Sequence, residues 1–358
     1  MTRDIKDLDP NMGTKDASSN LLWHDALHLT IEGQCWKDTE DPFDRLPKSA
    51  KNVVRPPVWD LSKKSAGIAV RFISNTTSIS AKWDTGRDWK MKHITSNGAN
   101  GIDLYVKFEN EWRWLAVGST ADEGDSHSRE LMTNLEPEFR EYMLYLPLYN
   151  NCFQLKIGIT PNATMRPAPV RDEGYLLFYG TSIVQGGCAS RAGLAHPSII
   201  GRKLNRPIVN LGFSGNGIME PEIADLLSQT NPAIYILDCL PNMEEPRITE
   251  RVEPFIQTIR IKRPNIPILL IDNIRYAGSH LFKARLDRYL SSNKAQYAAF
   301  ERLQKSGYKK LYYLKDDGLI GNDFEGTVDG THPNDLGFMR MAEKISEKLK
   351  LILLNEKI

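Results

Sequence analysis

The sequence predicts an α/β chain with two folds in series, an all-β sandwich followed by a domain built on a parallel sheet. Two observations carry this. From about residue 23 to residue 160, short runs rich in β-branched and aromatic residues alternate with Gly, Asn, Asp and Pro clusters, and stretches such as GIAVRFISN show the period of a strand with one buried face. Beyond residue 174 the apolar runs become continuous and are separated by stretches of helical length, the pattern of βαβ units whose parallel strands are covered on both sides. A length of 358 residues agrees with two domains, each able to bury a core.

In the first half, strands are expected over 68–73, 78–83, 102–108, 112–117, 140–146 and 153–159. All seven tryptophans (Trp23, Trp36, Trp59, Trp83, Trp89, Trp112 and Trp114) fall before residue 115. They suit either sandwich core or a ligand-stacking face. The segment 162–174, NATMRPAPVRDEG, is rich in turn formers and reads as a linker, dividing the chain into domains 1–165 and 166–358. After it, YLLFYG, PIVNLGF, AIYILD, IPILLID and KKLYYL read as five buried strands. Helices are expected over 189–204, 220–229, 248–262, 285–305 and 334–354.

Composition excludes several function classes. With 46 Lys plus Arg against 45 Asp plus Glu, the chain has no field that would favour nucleic acid or an anionic membrane. The longest apolar runs, 266–271 and 349–354, are too short to span a bilayer. The opening MTRDIKDLDP lacks the apolar centre of a leader, so the chain as written is expected in the cytoplasm, or in the periplasm or outside the cell if a leader has been removed. Four cysteines are too few for a disulfide scaffold and show no zinc spacing. His24, His28, His93 and His127 likewise lack the spacing of metal ligands. No cofactor or metal is expected.

Open α/β sheets place their ligands at the C-terminal strand edge. Read there in order, the chain offers Ser182 after the first strand, Gly215 in a Gly-rich turn after the second, Asn242 after the third, and Asp329 with His332 before the last helix. A serine hydroxyl becomes a nucleophile when an imidazole takes its proton, and a carboxylate three residues earlier can hold that imidazole in the required tautomer. The Ser182 and Gly215 backbone N–H groups and the Asn242 side chain could serve as oxyanion donors. Taken singly, each has a structural alternative: Ser182 as a helix cap, Asp329-Gly330 and Asn242 as turn residues, Gly215 as a positive-φ residue.

These blocks resemble those of the SGNH hydrolases, the GDSL-like esterases and lipases, with Ser182, Gly215, Asn242 and the Asp329/His332 pair matching the four blocks in order. Tyr-Gly-Thr-Ser-Ile stands where that family is named for Gly-Asp-Ser-Leu, and Asp-Cys-Leu-Pro-Asn where many relatives have Gly-x-Asn-Asp. Gly101-Ile102-Asp103-Leu104-Tyr105 is similar to the GxDLY signature of a subgroup whose hydrolase domain follows a β-sandwich. The resemblance spans about residues 20–350. It implies a flavodoxin-like three-layer α/β/α domain and a metal-free serine esterase working through an acyl-enzyme, with O-acetyl groups on carbohydrate as the substrate class. A lipid or thioester acylhydrolase, and a glycan-binding protein with a degenerate hydrolase domain, are the alternatives; the partner in each case is an acylated small molecule or a glycan.

Thr181, Arg275 and Tyr276 are further candidates for substrate contacts, the latter two, with His280, in a stretch over 272–292 that reads as a lid or a long loop. Asp238, Glu244 and Glu245 could bind substrate or form a solvated loop. Cys188 and Cys239 are a candidate disulfide or two packed thiols, and His196 is expected at the surface or as a helix cap.

Overall fold

A computed structural model describes residues 13–16, 20–86, 91–120 and 124–358; Trp89 lies outside the described residues. The chain packs as two compact units. The first comprises the described residues up to Leu46 together with Lys63–Asp172 and Ser190–Gly193; the second comprises Pro47–Ser62, Glu173–Ala189 and Leu194–Ile358.

The first unit is a sandwich of two antiparallel sheets. One sheet orders its strands Gly13–Asp16, Leu21–Asp25, Cys152–Ile159, Ile79–Thr85 and Ser126–Met132. The other orders Met165–Pro167, Ala69–Ser74, Arg140–Tyr145, Ile102–Phe108 and Glu111–Gly118, with Thr30–Glu32 also paired to Ala69–Ser74. Leu22, Trp83, Leu155 and Ile157 from one sheet meet Val70, Phe72, Leu104 and Tyr142 from the other in a common core. Each such side chain contributes about 1.5–3 kcal/mol by leaving water. The expected strands are all present within two residues; Met165–Pro167 shows that the expected linker supplies an edge strand before the chain leaves the unit.

The tryptophans divide among several roles. Trp23 and Trp83 are buried, Trp114 is 48% exposed, and Trp59 belongs to the second unit. The signature motif opens the strand Ile102–Phe108. Buried Asp103 accepts hydrogen bonds from Trp114 Nε1, Arg191 Nη1 and the Gly193 N–H, each at 2.8 Å, and the Arg191 guanidinium lies 4.7 Å from the Trp114 ring. Asp103 therefore ties Ser190–Gly193 into this unit.

The second unit is a five-stranded parallel sheet in the order Ile208–Gly212, Leu176–Gly180, Ile234–Asp238, Ile268–Ile271, Leu311–Leu314. In chain order this is 2-1-3-4-5, the flavodoxin-like winding. Helices His196–Leu204 and Asp335–Glu356 pack together, and Pro221–Ser228, Glu245–Lys262 and Lys283–Lys305 pack in succession. The helix expected over 189–204 begins only at His196, because Pro197 is accommodated in a first turn but would clash with the preceding turn if the helix ran back through it. Register places Gly180 level with both Gly212 and Asp238, so the loops after the first three strands leave the sheet side by side. No helix among the described residues is long and apolar enough to cross a membrane.

Candidate active site

Strand Leu176–Gly180 runs into a one-turn helix, Ser182–Gln185. Thr181 caps it by accepting the Ile183 N–H, and Gly186 ends it in the left-handed conformation. Ser182 thus opens a helix at the strand edge, and the residue is 6% exposed. Two buried amides brace this turn. Asn210 Nδ2 donates to the Val184 carbonyl at 2.7 Å, and Gln185 Oε1 accepts the Ser214 N–H at 2.9 Å.

The Asp329-Gly330-Thr331-His332 turn comes to the same edge. Asp329 Oδ1 accepts the backbone N–H groups of Thr331 at 3.0 Å and His332 at 2.8 Å, while Oδ2 lies 2.7 Å from His332 Nδ1. Ser182 Oγ is 2.9 Å from His332 Nε2. A carboxylate at Nδ1 calls for the proton there, which leaves Nε2 to accept from the serine hydroxyl. Partial burial raises Asp329, but the His332 amide and ring and the Thr331 amide outweigh it and hold the carboxyl below its ordinary value. Asn334 caps the last helix by accepting the Gly337 N–H.

Gly215 and Asn242 lie in the loops after the second and third strands, which end level with the strand that leads to Ser182. Gly215 has φ +68° and is exposed, with nothing within 4 Å of where a Cβ would sit. At Gly217, φ +69°, a Cβ would come 2.0 Å from the Gly180 carbonyl oxygen, so only glycine lets this loop lie against the end of the serine strand. Asn242 ends a short 3-10 turn, and its Nδ2 donates to the Asn216 carbonyl at 2.6 Å. An amide carries two hydrogens, so one bond still leaves Asn242 able to donate to a ligand.

The remaining candidates sit differently. Thr181 is fully buried and spends its hydroxyl on the helix cap. Tyr276 is 5% exposed and accepts from Asn273 Nδ2 at 2.8 Å. Arg275 is half-buried, donates to Ser279 Oγ at 3.1 Å and lies 5.6 Å from the Phe324 ring. The stretch holding these residues does reach the Asp329–His332 turn, where the Ala277 N–H donates to the Gly330 carbonyl at 3.0 Å. Glu244 and Glu245 are exposed at the start of their helix, whereas Asp238 is buried.

His196 corrects its sequence reading. It is fully buried, with Phe178 edge-on at 5.9 Å and Phe338 stacked at 5.8 Å. Cys188 and Cys239 are free thiols. Cys188 Sγ lies within 4.8 Å of ligand-capable atoms of Asp329 and His332, a set that would suit a soft metal ion. Those two residues already bond each other, however, and burial followed by the Asp329 charge pushes the Cys188 thiol up to about 12.

Fold and site together define an α/β protein that holds a serine, a histidine and an aspartate in hydrogen-bond sequence at the carboxyl edge of its parallel sheet. Residues 173–350 match the GDSL-like Lipase/Acylhydrolase family and residues 21–165 match the N-terminus of SGNH-hydrolase-type esterases. A structure described as a GDSL-like lipase, from Bacteroides ovatus ATCC 8483, is 35% identical, with a TM-score of 0.89 over 93% of this chain and 98% of that one. The chain belongs to the GDSL-like lipase/acylhydrolase family. Two more distant structures share the fold: a salicylyl-acyltransferase from a tetracycline biosynthetic pathway (16% identity, TM-score 0.75, 93% and 98% covered) and a family two carbohydrate esterase from Cellvibrio japonicus (13%, 0.61, 92% and 97%). No curated protein matches the sequence significantly.

Proposed function

We propose that the protein is a serine esterase that removes O-acyl groups, acetyl foremost, from carbohydrate without a metal. The observation that carries this is the continuous chain Ser182 Oγ to His332 Nε2 to Asp329, at 2.9 and 2.7 Å. Ser182 attacks the ester carbonyl as its proton passes to His332. That proton then leaves with the departing sugar alkoxide, giving an acyl-serine. Water attacks the acyl-serine and gives a proton to His332, and acetate departs as Ser182 recovers its hydrogen. Donors at Ser182, Gly215 and Asn242 would stabilise the oxyanion in both halves. The carbohydrate substrate is a choice guided by the fold shared with carbohydrate esterases.

Hydrolysis of an aryl acetate should fall to near background in Ser182→Ala and His332→Ala and should be indifferent to a chelator. Equal rates in all three proteins would end the serine reading, and chelator-sensitive turnover would end its metal-free form. Acetate release from a panel of acetylated polysaccharides tests the substrate, while strong preference for long acyl chains would replace it with a lipid. Glycan binding by the whole protein without turnover would favour the binding-protein alternative.

A further inference from the structure

Arg55, which precedes the helix Pro56–Ser62, packs within the second unit although it lies among sandwich residues in sequence. Its Nη2 donates to Asn216 Oδ1 and to Glu220 Oε1, both at 2.6 Å. Asn216 is 7% exposed and stands between Gly215 and Gly217. Its Nδ2 donates to the Ser214 carbonyl at 2.8 Å, and its own carbonyl accepts the Asn242 side chain at 2.6 Å. Glu220 is 2% exposed; its Oε2 accepts the Ile218 N–H at 3.0 Å and the hydroxyl of Tyr179, which lies three residues before Ser182. A carboxylate this buried is costly unless paired, so the loop is organised around the Arg55–Glu220 ion pair.

We propose that Arg55 is a positioning residue for the oxyanion hole: by holding Asn216, it sets the Gly215 turn and fixes the carbonyl that orients the Asn242 amide. The proposal rests on the esterase reading above. Arg55 bonds neither Ser182 nor His332 in this arrangement and acts through Asn216. A slack loop would still admit substrate, but would present its donors out of line with the developing charge.

The test measures kcat, KM and thermal midpoint on an aryl acetate for the full chain carrying Arg55→Gln, Arg55→Lys or Arg55→Gln with Glu220→Gln, beside Ser182→Ala. Arg55→Gln should lower kcat about 10- to 100-fold with KM nearly unchanged, the signature of an interaction made in the transition state. Arg55→Lys, which keeps the positive charge and a single donor nitrogen as Nη2 supplies, should recover part of that loss. The double variant removes the unpaired carboxylate, so it should regain thermal stability while kcat stays low. A double variant with wild-type stability and wild-type kcat, or a loss confined to KM, overturns the proposal. Turnover that survives in Ser182→Ala overturns the esterase reading and this proposal together, whereas turnover lost there but intact in every Arg55 variant overturns this proposal alone.

Discussion

Two Asp/His pairs lie at the same edge of the parallel sheet and differ in nearly everything except residue type. Asp329 and His332 meet at 2.7 Å with 36% and 23% of their side-chain surface exposed, and two backbone amides feed the carboxylate. Asp238 and His196 approach only to 3.9 Å, at 3% and 0% exposure, and among the described residues Asp238 Oδ2 and both His196 ring nitrogens have no hydrogen-bond partner. Burial pushes Asp238 up to about 7 and His196 down to about 3. The second pair is therefore not an ion pair: over the range between these values, a neutral imidazole faces a protonated carboxyl. Residue type alone does not make a dyad; amide donors and partial access to water keep one carboxylate charged, and their lack neutralises the other.

Four substitutions would break or sharpen that contrast. Replacing Asp329 with Asn keeps the shape but removes the charge and the tautomer control, and should cost about 10³–10⁴ in kcat, read on an aryl acetate. Losing only tenfold would mean that the exposed pair works no differently from the buried one. Asn242→Ala removes one donor while leaving both pairs intact and should cost about 10²–10³ in kcat. The buried pair should affect stability rather than turnover.

The sign of its pH effect differs between the partners. His196 is neutral when folded and binds a proton when unfolded between about 3 and the ordinary histidine value, so its contribution to stability rises with pH across that window. Asp238 holds its proton when folded and loses it when unfolded between the ordinary carboxylate value and about 7, so its contribution falls as pH rises. In the overlap the two slopes oppose. Asp238→Asn should therefore make stability climb with pH relative to the wild type, and His196→Phe should make it decline, each by at most about 1.4 kcal/mol per pH unit. Denaturant unfolding at stepped pH measures this; parallel curves for both variants and the wild type would show that burial does not neutralise the pair.

The catalytic candidates were legible because each follows a continuous apolar run or precedes the last helix, positions where topology forces convergence. Asn210 left a trace as a polar residue inside PIVNLGF, and the structure makes it the brace of the serine turn. Arg55 left none: residues 47–62 sit in the midst of sandwich strands in sequence, and only their packing assigns them to the second unit. His196 looked like a cap because Pro197 marks a helix start, which it does, but the aromatic rings of Phe178 and Phe338 close over it from distant elements.

The sequence by itself determined the two fold classes and singled out Ser182, Asp329 and His332 as candidates at the sheet edge, because hydrophobic period and strand-end position are local properties. Tertiary structure alone decided which histidine faces the serine, which aspartate stays charged, and that Arg55 and Asn216 stand behind Asn242. Those outcomes depend on burial and on hydrogen bonds between segments far apart in the chain, quantities that exist only once the chain has folded.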